Sequence, residues 1–269
     1  MNETPPIAAT IAGSDSSGGA GIQADLKTFS ALGVFGASIL TALTAQNSQG
    51  VSAIHDVPDA FIAAQIDSVF SDLNVRATKI GMLSRAGAIA AVAAGLDRWN
   101  PGAIVLDPVM VATSGSRLLD PQAIDGMKAE LFARAHLITP NLPEAAALLG
   151  LPLAETEADM RVQAERLLNL GARAVLLKGG HAMGPESVDL FMDEAGLLRL
   201  AAPRLPSANT HGTGCTLSSA IAAGLALGKP MRMAVRDAKA YVTSAIAAAD
   251  RLDVGAGHGP VHHFFAFWP

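Results

Sequence analysis

Cysteine is almost absent from this sequence, and that scarcity limits the kinds of site the chain can build. The one cysteine among 269 residues is Cys215, so neither an internal disulfide framework nor a multi-cysteine metal site can form. Charged side chains make up only 16% of the residues, and their net charge is −5. Such a chain lacks the positive field that attracts a nucleic-acid backbone or an anionic membrane. We therefore expect a small molecule or another protein as partner, and neither nucleic acid nor a membrane.

Long hydrophobic runs are also missing, although half of the residues are hydrophobic. The longest apolar stretch, residues 31–45, is interrupted by two glycines, a serine and two threonines. A membrane span needs about 20 predominantly apolar residues. Residues 1–6 lack the basic and apolar regions of a secretory signal. These features predict a cytoplasmic protein, and the hydrophobic content excludes global disorder.

The sequence does contain short runs of Ile, Val and Leu that alternate with longer helical segments. This order is typical of βαβ units around a parallel sheet, and continuously apolar runs indicate that helices cover both faces. The predicted strands are Ile7–Ala12, Gly36–Ala42, Thr78–Gly81, Ala103–Asp107, Ala135–Thr139 and Ala172–Lys178. The predicted helices are Ala20–Leu32, Asp59–Ser71, Arg85–Arg98, Pro121–Arg134, Leu142–Leu149, Glu157–Leu170, Thr213–Leu227 and Met231–Leu252.

Two further runs, Val188–Met192 and Leu197–Ala201, are separated by a short polar turn. This arrangement predicts an antiparallel hairpin added to one edge of the sheet. No long linker, repeat or block of charge divides the chain. We therefore predict a single three-layer α/β/α domain over residues 1–269, with a mostly parallel central sheet.

A glycine-rich turn, Gly13–Gly21, follows the first predicted strand and leads into a helix. Glycine lets the backbone approach a ligand closely, and the helix start offers free amide donors. The segment Gly19–Ala24 also fits the Gly-x-Gly-x-x-Gly/Ala form of a dinucleotide site. However, Gln46 and Asn47 stand where the ribose-binding acid of such a site is expected. A nicotinamide-dependent dehydrogenase and a plain strand-to-helix turn both remain open.

A second glycine-framed segment, Asn209–Leu217, opens an alanine-rich helix. The amides of residues 212–215 would point together at this helix start and stabilise developing negative charge. The helix dipole is strongest beside Cys215, so we expect the pKa of its thiol to lie below the free value of about 8.5. The thiol could then act as a base or as a hydrogen-bond partner for a reacting hydroxyl. A buried, inert cysteine is the alternative interpretation.

Polar side chains follow three of the predicted strands, where ligands of such sheets bind. Asp107 and Glu144 offer carboxylates of the kind that hold Mg²⁺ beside phosphates, and Lys178 offers a point charge for a phosphate. Asn141 lies three residues before Glu144, so both side chains can face one cleft if a helix begins between them. They could equally form a capping box, and Lys178 could end a strand in solvent.

The C-terminal region is rich in histidine and in aromatic residues. His258 and His262 have helical i, i+4 spacing, but a Gly-Pro pair between them argues against a helix and against a metal site with His263. The tail Phe264–Trp268 holds four of the 12 aromatic residues. Such an apolar terminus predicts docking onto the domain or onto a neighbouring subunit.

Together, these segments resemble the hydroxymethylpyrimidine and phosphomethylpyrimidine kinases of thiamine biosynthesis, a family with the ribokinase-like fold. The resemblance spans essentially the whole chain. It rests on Ala12–Thr28, Thr41–Asn47, Lys79–Leu83, Leu106–Met110, Thr139–Glu144, Lys178–His181, Asn209–Leu217 and Gly259–Phe264.

The resemblance implies phosphorylation of 4-amino-5-hydroxymethyl-2-methylpyrimidine by ATP and Mg²⁺, followed by phosphorylation of the monophosphate. Gln46 and Asp25 are expected to hydrogen-bond the aminopyrimidine, because a glutamine amide donates and accepts at once. Gly13, Met82 and Val109 are expected to pack around the ring.

By the same resemblance, Cys215 faces the reacting hydroxymethyl group, in the place where most ribokinase relatives have aspartate. The segment Thr113–Ser116 is expected to close over the site. The family likeness also suggests a homodimer. The other expected site residues are Gly212, Thr213 and Gly214 for catalysis, Lys178, Asn141 and Thr210 for the nucleotide, and Asp107 and Glu144 for magnesium.

Two alternatives share this pocket. A pyridoxal or pyridoxine kinase has the same fold and a substrate ring that bears a hydroxymethyl group, although Gln46 and Met82 favour the pyrimidine. A non-catalytic sensor would bind the pyrimidine without turnover. The absence of an appended effector domain and the presence of every phosphate-side residue argue against a sensor.

Overall fold

The computed structural model describes residues 4–111, 118, 120, 122–180 and 184–268. Its strands are β1 Ile7–Ala12, β2 Phe35–Leu40, β3 Ala42–Asn47, β4 Gly50–Asp56, β5 Val75–Ile80, β6 Ala103–Leu106, β7 Leu137–Ile138, β8 Val175–Lys178, β9 Glu186–Asp193 and β10 Gly196–Pro203. Its α-helices are α1 Gly21–Ala31, α2 Asp59–Asp72, α3 Ala86–Arg98, α4 Ala123–Leu131, α5 Leu142–Leu149, α6 Glu157–Leu168, α7 Thr213–Ala226 and α8 Met231–Ala247.

Eight of these strands form one sheet in the order β10-β9-β8-β7-β6-β5-β1-β2. The pairs from β2 through β1, β5, β6 and β7 to β8 are parallel, whereas β9 pairs antiparallel with both β8 and β10. The predicted parallel sheet and its antiparallel edge hairpin are therefore confirmed. The division of the chain into a single domain stays a prediction.

Helices cover both faces of the sheet because most of its strands are apolar on both sides. One core contains Ile62 and Ile66 of α2 and residues of α3–α6, while the other contains Phe29 of α1 and residues of α7 and α8. Small residues let α7 and α8 approach closely, since a Cβ at Gly224 would lie 2.9 Å from the Cβ of Ala234. The expected three-layer α/β/α architecture is confirmed. None of the described helices is long and apolar enough to cross a bilayer.

The predicted end of the second strand, Gly36–Ala42, is wrong, because the observed strand β2 ends at Leu40. The chain leaves the main sheet at Thr41, whose hydroxyl donates to the Met82 carbonyl at 2.7 Å. It then forms β3, which pairs antiparallel with β4 in a separate two-stranded sheet. We did not predict this hairpin, because β4 is largely exposed and lacks the apolar runs by which the other strands were recognised.

Other boundaries shift by a few residues. The α-helix predicted from Pro121 begins at Ala123, and its last predicted turn is a 3₁₀ helix, Phe132–Arg134. Pro121, His181 and the Thr113–Ser116 segment lie outside the described residues.

The C-terminal tail docks in part onto α8. The Tyr241 hydroxyl donates to the His263 carbonyl at 2.7 Å, and the Tyr241 and Phe265 rings lie 5.5 Å apart. Phe267 and Trp268 stay 68% and 52% exposed. The prediction of docking onto the domain is therefore confirmed for the first part of the tail.

Within the described residues, no cluster of three or more His, Cys, Asp or Glu side chains could hold a metal ion.

Candidate active site

The ends of three neighbouring strands bring the predicted phosphate-side residues together. Asp107 follows β6, Asn141 follows β7 and Lys178 ends β8, and these strands are adjacent in the sheet. The Lys178 Nζ lies 2.8 Å from Asp107 Oδ1 and 4.0 Å from Glu144 Oε2. One ammonium group therefore stands between two carboxylates, and all three are largely buried.

Asn141 and Glu144 form the capping box that we considered as their alternative role. The Asn141 side chain accepts from the Glu144 N–H at 2.8 Å, and the Glu144 carboxylate accepts from the Asn141 N–H at 2.8 Å. The capping oxygen of Glu144 is also the one that lies 4.0 Å from Lys178. The capping bond therefore holds the Glu144 carboxylate toward the cleft. Its part in the capping box does not exclude a role as a ligand of Mg²⁺.

The two carboxyl groups differ in their ionisation. Burial raises the pKa of Glu144 to about 7, and the neighbouring charge of Asp107 adds to this, although Lys178 opposes it. Burial also disfavours the charged form of Asp107, but Lys178 and Lys79 hold its pKa below the usual value. Asp107 is therefore a carboxylate at neutral pH, whereas Glu144 titrates close to neutrality.

The start of α7 requires glycine at one position and is closely approached at a second. Gly212 has a φ of +81°, and a Cβ there would overlap the carbonyl oxygen of Gly19. A Cβ at Gly214 would lie 3.3 Å from Lys178 Nζ and 3.7 Å from an oxygen of Asp107. The helix start is thus packed against the first glycine-rich turn on one side and the strand ends on the other.

The amide of Thr213 is turned away from the cleft. Its N–H donates to the Thr210 carbonyl at 3.2 Å, and its hydroxyl donates to the same oxygen at 2.7 Å. The helix start has no side-chain cap. Of the four amides expected to point together, that of Thr213 is therefore not free for an anion, and the use of the amides of Gly212, Gly214 and Cys215 stays a prediction. The placing of Thr210 beside a nucleotide stays a prediction.

Cys215 lies between the starts of two helices. The N–H of Gly21, the first residue of α1, and the charges of Lys79, Asp25 and Asp107 all act on the pKa of the thiol. Burial raises the pKa of Cys215 to about 11, and the two carboxylates add to this while Lys79 opposes it. Our expectation of a lowered thiol pKa is wrong, because burial disfavours the thiolate and the carboxylates of Asp25 and Asp107 add to this.

This raised pKa predicts slow alkylation. At pH 8 we expect native Cys215 to react with iodoacetamide at least about 100-fold more slowly than an unfolded thiol, because the thiolate is the nucleophile. The chain has a single cysteine, so mass spectrometry reports this residue alone. The urea-unfolded chain is the control. Equal rates in the native and unfolded chains would contradict a raised pKa.

Asp25, predicted to bind the substrate, is fully buried and already has protein partners. Its carboxylate pairs with Lys79 at 2.8 Å, and both side chains are 0% exposed. The hydroxyls of Thr10 and Ser219 each donate to it at 2.6 Å. A substrate hydrogen bond to Asp25 would need one of these donors to move, and its role in binding stays a prediction.

Gly13 and Met82 meet on the other side of Gly21. A Cβ at Gly13 would lie 2.9 Å from Met82 Sδ, and one at Gly21 would lie 2.5 Å from the Gly13 carbonyl oxygen. Since the N–H of Gly21 is close enough to act on the thiol pKa of Cys215, the substrate-side and catalytic residues are neighbours. Val109 is half-buried beyond β6, with its N–H donating to the Asp107 carbonyl at 2.8 Å. Its contact with a substrate ring stays a prediction.

Gln46 belongs to β3 and faces two residues that we did not predict. His211 Nε2 lies 3.4 Å from the Gln46 side-chain amide and 2.8 Å from Asp15 Oδ2. Asp15 lies in the glycine-rich turn and His211 just before α7, so both were inside quoted segments. The signal that we overlooked is an acid in the turn that follows the first strand. Gln46 and Ser16 also line a cavity of about 600 Å³ along the β3–β4 hairpin.

The chain is similar to known kinases over nearly its whole length. Residues 15–262 match the family described as phosphomethylpyrimidine kinase. A hydroxymethylpyrimidine/phosphomethylpyrimidine kinase of Rhizobium meliloti is 59% identical over 262 residues, which cover 97% of this chain and 98% of that protein.

Solved structures agree with this similarity. A phosphomethylpyrimidine kinase from Clostridium difficile is 45% identical with a TM-score of 0.79, covering 89% of this chain and 99% of the other. An ADP complex of Bacillus subtilis pyridoxal kinase is 34% identical with a TM-score of 0.91, covering 99% of this chain and 100% of the other. The ribokinase-like fold that the resemblance implies is confirmed. The chain belongs to the phosphomethylpyrimidine kinase family and is a kinase.

Proposed function

We propose that this kinase transfers the γ-phosphoryl group of ATP to the hydroxymethyl group of 4-amino-5-hydroxymethyl-2-methylpyrimidine, and then phosphorylates the monophosphate. The main support is the position of Cys215. Its neighbour Gly214 faces the Lys178–Asp107 ion pair, while Gly21 on the opposite side adjoins Gly13. A phosphate-side cluster and a substrate-side cluster therefore meet at one helix start.

The phosphate side supplies electrostatic stabilisation. Lys178 presents its charge at a strand end, and the amides of Gly214 and Cys215 point from the positive end of the α7 dipole. Phosphoryl transfer proceeds through a loose transition state and depends mainly on positioning and charge. These groups would stabilise the negative charge on the transferred group without any covalent chemistry.

The thiol fits a hydrogen-bonding role better than that of a strong base. With a pKa of about 11, Cys215 is protonated at neutral pH. A loose transition state lets the alcohol keep its proton until the phosphoryl group has largely left ADP. Cys215 would then orient the alcohol oxygen as a hydrogen-bond partner, and the alcohol proton would pass to an oxygen of the transferred phosphate or to water once the new P–O bond has formed.

Mg²⁺ fits the carboxylates at the strand ends. Asp107 and Glu144 provide hard oxygen donors on both sides of Lys178, and Mg²⁺ in kinase sites is held by one or two carboxylates and by substrate phosphates. When bound, the ion would neutralise charge on the ATP phosphates. Asn141, bonded to Glu144, would keep that carboxylate in place.

We also propose a homodimer and a cytoplasmic location. Phe267 and Trp268 lie at the partly docked tail and expose apolar surface that a second subunit could cover. The location is proposed from the sequence alone.

The test is product analysis with purified protein and MgATP. We expect the pyrimidine alcohol to give the monophosphate and then the diphosphate, and the monophosphate supplied alone to give the diphosphate. Lys178→Met, which removes the charge between the two carboxylates, is expected to suppress both products. Failure of the unmodified chain to phosphorylate either compound would refute the proposal.

A pyridoxal kinase is the competing assignment, because the Bacillus subtilis pyridoxal kinase has a similar fold. The 59% identity to a pyrimidine kinase favours the pyrimidine over pyridoxal as the substrate. Steady-state kinetics on both alcohols will decide, and a higher kcat/KM with pyridoxal would reverse the assignment.

A further inference from the structure

Behind Gln46 lies a buried carboxylate that is crowded with hydrogen-bond donors. Asp15 is 2% exposed. Four donors of the glycine-rich turn reach its oxygens at 2.7–3.1 Å: the N–H groups of Ser17, Gly19 and Ala20, and the Ser17 hydroxyl. Burial opposes ionisation, but the bonds from His211 and the turn hold the pKa of Asp15 well below its usual range. Asp15 therefore acts only as an acceptor near neutral pH.

This carboxylate determines where the hydrogen of His211 lies. The His211 Nε2 is 2.8 Å from Asp15 Oδ2. Two acceptors cannot share such a contact, so Nε2 must carry a hydrogen and donate it to Asp15. The same nitrogen consequently has no lone pair to offer to Gln46.

The hydrogen on His211 in turn orients the Gln46 amide. The amide nitrogen of Gln46 is placed 3.4 Å from Nε2, where its N–H group would face another N–H. Turning the amide over removes this clash by bringing its carbonyl oxygen to that position. At the other end, the Thr44 hydroxyl lies 2.8 Å from the Ser14 carbonyl oxygen and 3.1 Å from the amide oxygen as placed. Its single hydrogen serves the shorter contact to Ser14, which leaves a lone pair for the amide. An NH₂ group satisfies that lone pair, so both neighbours select the same orientation.

We propose that His211, held by Asp15, is a positioning residue that fixes the donor and acceptor ends of Gln46 and thereby selects an aminopyrimidine over its 4-oxo counterpart. This inference rests on the proposed function, in which Gln46 binds the substrate ring.

The selection follows from the two hydrogen-bond patterns. In the 4-amino ring an N–H donor stands beside a ring-nitrogen acceptor, whereas in the 4-oxo ring a carbonyl acceptor stands beside a ring N–H. An amide that is free to turn over can match either pattern. An amide fixed by His211 and Thr44 matches one of them, and the other leaves buried polar groups unpaired.

The experiment measures discrimination between the two rings. We would determine kcat/KM for the 4-amino pyrimidine alcohol and for its 4-oxo analogue, and dissociation constants for both by calorimetry. In His211→Leu we expect the preference for the amino ring to fall by about 10-fold or more, mainly through KM, as for other lost hydrogen-bond recognition. In His211→Gln we expect the preference to be largely kept, because a glutamine N–H can replace Nε2–H.

Two further variants complete the design. His258 is exposed and contacts the Ala208 carbonyl at 3.2 Å, so His258→Leu is a matched control that should leave the preference unchanged. Thr44→Val removes the second orienting group and should weaken the preference like His211→Leu, which provides a test even if the histidine variant does not fold.

The outcomes separate this inference from the proposed function. An unchanged preference in folded His211→Leu, or an equal loss in His211→Gln, would overturn the positioning role while leaving the kinase assignment intact. If the unmodified chain phosphorylates neither ring, the proposed function fails. In that case the ratio of the two dissociation constants, compared between the unmodified chain and the variants, still decides whether His211 orients Gln46.

Discussion

Lys79→Met should lower the free energy of unfolding by about 3–5 kcal/mol, the usual effect of breaking a buried ion pair. Lys79 and Asp25 are both 0% exposed and lie 2.8 Å apart. Removing the ammonium group would leave a buried carboxylate with only the hydroxyls of Thr10 and Ser219 as donors. Two hydroxyls supply no opposite charge, so the desolvation of Asp25 would be poorly compensated.

Removing both charges should be less damaging than removing one. We expect Asp25→Leu combined with Lys79→Met to recover much of the lost stability, because no unpaired charge is then buried. Lys229→Met, which breaks a mostly exposed pair with Asp237, is the matched control and should cost less than about 1 kcal/mol.

Urea unfolding followed by circular dichroism measures all four proteins. A single Lys79→Met variant as stable as the unmodified chain would show that the pair adds nothing to stability. The double variant also tests Asp25. If it folds and still binds the pyrimidine with unchanged affinity, the predicted hydrogen bond from Asp25 to the substrate is wrong.

Cys215→Ala should reduce kcat by about 10²-fold, the usual effect of losing a group that orients a reacting atom. Alanine removes the thiol but keeps the amides of residues 214 and 215. Binding of the ring should change little, because Gln46, Gly13 and Met82 are untouched. The loss should therefore appear in kcat far more than in the substrate dissociation constant.

Single-turnover kinetics with MgATP and the pyrimidine alcohol check this prediction. Cys215→Ser keeps a small group that can donate and accept beside Gly21, and it should retain more activity than alanine. An unchanged turnover number in Cys215→Ala would remove the thiol from the mechanism. Equal losses in the serine and alanine variants would mean that sulfur itself is needed.

Much of the secondary structure could be predicted from local sequence. β1 and α5 agree with the predicted bounds, because a continuous apolar run and a capping box are both local signals. The β3–β4 hairpin could not be predicted in this way. Its strands lie outside the main sheet and carry few buried apolar residues, so periodicity leaves little trace there.

The candidate site was predictable as a set of residue types but not as a set of contacts. Asp107, Glu144 and Lys178 stand at strand ends, where the order of the strands makes them neighbours. The network of Asp15 and His211 joins residues 196 positions apart, and no spacing rule connects them. The thiol pKa of Cys215 depended on carboxylates that only the folded chain brings near it.

The sequence by itself determined the fold class, the family and the positions at which glycine, acid and thiol stand. These properties follow from local patterning and from motifs in a given order, and each is readable along the chain. Only the tertiary structure decided which way each polar group points and which charges surround it. Ionisation and hydrogen-bond direction depend on burial and on partners distant in sequence. The buried Asp25–Lys79 pair, the orientation of Gln46 and the raised pKa of Cys215 therefore emerge only after the chain has folded.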